Sequence, residues 1–122
     1  MVFHKNIESL TLKNENYRKV LYTDKGKSQL VLMCLIPGED IPKELHNDVS
    51  QFFRIESGKG VAIIGDKRYK LEDGIALIIP PGTEHYIKNT SKSEPLKLYS
   101  IYSPDNHPYN KVNKRQPKND NH

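Results

Sequence analysis

The chain has 122 residues, 19 of them Lys or Arg against 15 Asp or Glu, for a net charge of +4. A chain of this length forms one domain and buries a core without disulfides. Basic and acidic residues are interleaved, with no basic stripe carrying aromatics, which argues against nucleic-acid binding. No run approaches the roughly 18 apolar residues that span a bilayer. The opening Met-Val-Phe-His-Lys-Asn lacks the layout of a signal peptide, so a cytoplasmic protein is expected.

Asn6 is placed to cap a short helical turn with Glu8 in its first turn, although Leu10 and Leu12 suit a strand equally well. Residues 17–23 are β-branched and aromatic and predict an early strand, with Arg18 on a solvated face. After a turn at residues 24–27, residues 30–36 form a continuous apolar run of strand length, read as buried on both faces. The single Cys34 lies in that run and reads as a buried structural thiol. Pro37 and Gly38 end it. Residues 37–49, rich in Glu, Asp, Asn and Pro, read as a long loop, and a loop of that length in a compact domain is usually functional.

Alternation returns at residues 51–56, with Gln51, Phe53 and Ile55 on one face and Phe52, Arg54 and Glu56 on the other. Residues 57–60 are a tight turn. Residues 61–64 and 68–71 form a hairpin about Gly65-Asp66. Residues 75–79 read as a buried strand, and Pro80-Pro-Gly82 turns a sharp corner into a short strand at residues 85–88. Asn89-Thr-Ser91 fits a glycosylation sequon, taken as coincidence, and residues 96–102 alternate again. About eight short strands with regular turns predict an antiparallel β-sandwich or barrel. The predicted organisation is an N-terminal segment at 1–16, a barrel at 17–103 and a polar tail at 104–122. The tail holds almost nothing apolar, so its end reads as disordered, with residues beyond about Lys114 dispensable for stability. His4, His107 and His122 read as surface or tail residues.

Glu44 and His46 stand two apart, which in extended chain points both to one side. Together with Gln51 and His85 they make four oxygen and nitrogen donors for one divalent metal ion, with Fe, Mn, Co, Ni or Zn all suited. Glu44 is read as a ligand, with a general base standing off the metal as the alternative.

Two segments carry a resemblance. Gly74, Pro80, Gly82, His85 and Asn89 occupy every fixed position of the second cupin motif, G-x5-P-x-G-x2-H-x3-N. Gly38, Glu44, His46, Gln51 and Gly58 align with the first, G-x5-H-x-H-x4-E-x6-G, where Glu44 replaces the usual first His and Gln51 the usual Glu. The chain therefore resembles the cupins, small antiparallel jelly-roll barrels, over about residues 17–103. The resemblance implies a metal site at Glu44, His46, Gln51 and His85.

That inventory of two His, one Glu and one Gln is similar to that of mannose-6-phosphate isomerases. It implies a small metal-dependent enzyme on a small oxygenated substrate, leaning to sugar or sugar-phosphate isomerase-like chemistry, with Lys43 and Arg54 as candidate phosphate anchors. One alternative is a non-haem Fe(II) dioxygenase with an apolar pocket drawn from Phe53, Ile55, Ile63 and Ile87. The other is a non-catalytic metal- or sugar-binding module. An outward Phe52 predicts pairing through a sheet as a homodimer.

Overall fold

The computed structural model describes residues 2–118. Asn6 settles the first ambiguity in favour of helix. Its side chain accepts from the Ser9 N–H at 2.9 Å and caps α1 (Ile7–Lys13), with Glu8 in the first turn and Lys13 in the last. Such a cap stabilises a helix by about 1 kcal/mol.

Ten strands follow: β1 (Arg18–Asp24), β2 (Ser28–Leu35), β3 (Asp40–Glu44), β4 (Ser50–Ser57), β5 (Gly60–Ile64), β6 (Lys67–Leu71), β7 (Ala76–Ile79), β8 (His85–Asn89), β9 (Leu96–Ser103) and β10 (Val112–Asn113). All pairings are antiparallel. A six-stranded sheet in the order β10-β1-β2-β9-β4-β7 faces a four-stranded sheet in the order β3-β8-β5-β6. The protein is a mostly β, single-domain jelly roll.

Its core lies between the sheets. Val31, Met33, Leu35, Phe53, Ile55, Leu96 and Leu98 from the larger sheet meet Ile41, Ala62, Leu71 and Ile87 from the smaller. β2 is buried on both sides from Val31 onward because α1 packs across the outer face of β2, β4 and β9. Cys34 is buried there, and burial pushes its thiol pKa up. At Gly58, with φ of +112°, an added Cβ would lie 2.5 Å from the Pro95 carbonyl oxygen, so this motif glycine serves a close backbone approach. Motif residue Asn89 is structural too. It is buried, donates to the carbonyls of Leu35 (2.8 Å) and Glu94 (2.9 Å), and accepts from the Ser91 N–H, which suits it poorly for glycosylation.

Several expectations need correction. Residues 37–49 are not one loop, because β3 forms within them; Pro42 is tolerated there because β3 is an edge strand. β7 is not buried. It is the other sheet's edge, and Ile78 on its outer face is 73% exposed. Arg18 is not solvated: it points into the barrel at 1% exposure, donates to Asn113 Oδ1 at 2.9 Å and lies over the Tyr17 ring.

The tail is part of the barrel as far as it is described. β10 pairs with β1, and His107 is buried at 4% exposure. Gln116 exchanges bonds with Asp40, donating to its Oδ1 at 2.8 Å and accepting from its N–H at 3.1 Å. The Gln116 N–H donates to Glu39 at 3.0 Å, and Arg115 joins the Glu39 carboxylate to the Glu15 carbonyl. The expected disorder of the tail's end, and His122, lie outside the described residues.

Candidate metal centre

β3 and β8 bring the carboxylate and one histidine together. Ile41 pairs with Ile87 and Glu44 with His85, so three steps along β3 meet two along β8. An unbulged ladder would set Lys43 opposite His85. The extra residue sets a carboxylate there instead. His46 follows just beyond the strand, and its carbonyl accepts from the Gly82 N–H at 2.7 Å. The Pro-Pro-Gly corner thereby holds the His46 segment beside the start of β8.

Glu44 Oε1 lies 2.8 Å from His46 Nε2 and 3.3 Å from His85 Nε2. The three side chains are 12%, 17% and 2% exposed, so the cluster is largely shielded from solvent. Rings pack around it. The Phe53 and His85 centroids are 6.3 Å apart, those of His46 and Tyr102 are 6.5 Å apart, and both pairs meet edge to face. Surface cavities of about 560 and 590 Å³ lie elsewhere, the first against Phe3, Tyr22 and Tyr109, the second against Cys34 and Arg115.

His85 has a defined tautomer. Its Nδ1 is 3.0 Å from the Thr83 carbonyl oxygen, which can only accept, so Nδ1 carries the proton. The buried Nε2 has no hydrogen-bond partner and lies 3.3 Å from a carboxylate oxygen. A ring nitrogen and a carboxylate oxygen so placed are reconciled by a cation between them, either a proton or a metal ion.

Gln51 stands on the inner face of β4, where its amide Nε2 donates to Ser100 Oγ at 3.2 Å and its buried Oε1 has no hydrogen-bond partner. The donor chemistry, two imidazoles, a carboxylate and an amide oxygen, suits a divalent transition metal. Among the described residues, however, no group of three or more His, Cys, Asp or Glu stands as a ready-made metal cage. Glu44 and the histidines form a closed, mutually contacting cluster instead.

Other candidate residues fall away from it. Lys43 is largely exposed and pairs with Glu84, and Arg54 lies on the outer face of β4 beside Glu56. Ile55 and Ile87 are consumed by the core, Ile63 does not point with Ala62 into the barrel, and only Phe53, itself a core residue, keeps its ring against His85. Sequence reasoning missed Tyr102 and His107, which stack at 5.3 Å behind His46.

Residues 31–102 match the Cupin_2 family, a cupin domain. The chain is a cupin. It is 44% identical over 119 residues to uncharacterized protein L612 of Acanthamoeba polyphaga mimivirus, covering 95% of this cupin and 74% of that protein. It is 43% identical to uncharacterized protein YrkC of Bacillus subtilis over 88% of its own length, and spans only 60% of that relative. The crystal structure of BH2720 from Bacillus halodurans is similar at 39% identity and a TM-score of 0.88, over 93% of this cupin and 89% of that chain. Among the described residues, no helix is long and apolar enough to cross a membrane.

Proposed function

We propose that this cupin is a metal-dependent enzyme acting on a small oxygenated compound, with Glu44, His46 and His85 as the principal metal donors and Gln51 as a neutral fourth. The buried His85 Nε2, without a hydrogen-bond partner and 3.3 Å from the Glu44 carboxylate, supports this reading most strongly. A divalent ion bound there would polarise a carbonyl or hydroxyl oxygen of a substrate. Glu44 supplies the anionic charge of the cluster, and the Ser100 contact turns the Gln51 amide so that its oxygen stays available. With all three side chains mostly shielded from solvent, a small molecule suits the site.

Isomerase-like proton transfer is the chemistry towards which the donor set leans. The phosphate part of that reading loses its support, since neither Lys43 nor Arg54 turns towards the donors. We therefore favour an unphosphorylated hydroxy- or oxo-compound. The dioxygenase reading is favoured less, because of its four apolar residues only Phe53 lies against the donors, while Ile55 and Ile87 pack in the core and Ile63 turns away.

Glu44→Gln tests the assignment, because it keeps the shape and removes the charge. A ligand role predicts a marked loss of bound metal in protein purified without chelator. Full metal content with turnover abolished would make Glu44 a base and overturn its place in the donor set.

The same reading includes assembly as a homodimer. Tyr22, Leu30, Ile101, Phe52 and Ile78 lie opposite one another across β1, β2, β9, β4 and β7. This makes an apolar row on the outer face of the larger sheet, beside the part that α1 covers. A second copy laid on the row would bury Ile78 and Phe52 together. Light scattering at micromolar concentration is expected to give the mass of two chains and to fall to that of one in Ile78→Glu; a single-chain mass for the unmutated protein would refute the pairing.

A further inference from the structure

Residues 106 and 107 leave the end of β9 and turn back into the barrel. The side-chain amide of Gln29 holds this turn at three points. Its Nε2 donates to the His107 carbonyl at 2.7 Å, while its Oε1 accepts from the N–H groups of His107 at 2.8 Å and Asn106 at 3.1 Å. Gln29 is buried and lies directly opposite Tyr102 in the β2–β9 ladder. The bracket therefore delivers the His107 ring to the Tyr102 ring, edge to face, with centroids 5.3 Å apart and an interplanar angle of 82°. Tyr102 is fully buried and meets the His46 ring in the same manner at 6.5 Å and 73°.

We propose that His107 is a positioning residue for the candidate donor His46, acting through Tyr102, with Gln29 as the bracket that keeps it in place. This rests on the reading of Glu44, His46 and His85 as metal donors. Packing transmits the constraint. A close-packed interior leaves a ring little freedom only while its neighbours are present. His107 fills the space on one side of Tyr102, and Tyr102 in turn limits where the His46 imidazole can turn. Edge-to-face contacts of this kind stabilise a ring pair beyond the area they bury. Loss of groups that orient a metal-binding histidine typically costs roughly 10–100-fold in metal affinity. The contact with Tyr102 is ring against ring, so phenylalanine, which keeps the ring, should substitute and alanine should not.

Two readouts test it, and one needs no metal. In metal-free protein with 15N-labelled histidine, His107→Ala is expected to shift and broaden the ring signals of His46, while His107→Phe leaves them near their original positions. On titration with Co(II), followed by its d–d bands, His107→Ala is expected to bind about tenfold more weakly with an altered band shape, and His107→Phe as the parent does. Gln29→Met cuts the bracket but keeps the ring, and should move the His46 signals in the same direction as His107→Ala. It also serves if the alanine variant fails to fold. Unmoved His46 signals in His107→Ala, or in Gln29→Met where that variant stands in for it, overturn the proposal. A His107→Phe variant as displaced as His107→Ala does the same. A parent protein that takes up no Co(II) would instead refute the metal reading, and the metal-free ring signals would still decide the positioning role.

Discussion

His85→Ala, purified without chelator, is expected to carry almost no divalent metal, and His46→Ala the same. Removing the groups around a metal-bound histidine already costs roughly 10–100-fold in affinity, so removing the histidine itself should cost at least about a hundredfold. Gln51→Ala should lose only part, because a neutral amide oxygen is a weaker donor than an imidazole. Glu44→Gln should fall between, since it takes away the anionic charge next to both rings. This ordering is more informative than any single loss. A fold defect would lower all four together, whereas the donor set ranks them. Elemental analysis of the four proteins, with circular dichroism to confirm the fold, makes the measurement. Full metal occupancy in the double-histidine variant would remove the site from consideration.

The second motif made this end of the molecule legible from residues alone. His85 and Asn89 sit at fixed offsets from a glycine and a Pro-x-Gly corner, and backbone geometry does not let those offsets slide. The alternation of Gln51, Phe53 and Ile55 was legible for the same reason, since strand periodicity survives in composition. β3 was not legible. It contains Asp40, Pro42, Lys43 and Glu44, which no propensity scale favours in a strand, and it forms because β8 offers an edge to pair with. The bulge that turns Glu44 and not Lys43 towards His85 is likewise a property of pairing, which one strand's residues do not record. His107 was the larger miss. In a polar tail it looks like a surface residue, and only the three bonds from Gln29, 78 positions away, pull it inside.

Residues beyond Lys114 read from sequence as dispensable, but with Arg115 and Gln116 bonded to the barrel, protein ending at residue 114 is expected to melt about 5–10 °C below the full chain. The cut removes Arg115 and Gln116, and with them the bonds to Glu15, Glu39 and Asp40. At the low end of a net contribution, about 0.5 kcal/mol for each partly exposed bond, the five bonds, with that from the Asp40 N–H, sum to about 2.5 kcal/mol, and each kcal/mol shifts a domain of this size by roughly 3–4 °C. Asp40 makes the loss felt beyond the tail. Its other carboxylate oxygen accepts from the Tyr86 hydroxyl at 2.7 Å, and its carbonyl from the Tyr17 hydroxyl at 2.7 Å. Burial and the bond to Asp40 push the Tyr86 phenol up to about 12, so it stays a donor throughout the neutral range. Gln116→Ala alone should give about half the effect. A truncated protein melting within 2 °C of the full chain would show that these contacts, although formed, add no net stability.

The clamp around Arg115 also orders events in time. It joins Glu15 to a residue 100 positions later, and Glu39 to residues 76 and 77 positions later. During synthesis the first strands therefore emerge long before the groups that tie them down. At about 5–20 residues per second, the stretch from Glu15 to Arg115 takes roughly 5–20 seconds to make. Throughout that interval the acidic start of β3, and with it the strand that carries Glu44, waits without its anchor. Contacts this distant in sequence are slow to close even in a finished chain. A ribosome stalled before residue 115 should thus hold a nascent barrel whose β3 edge is still open to proteases and to other strands.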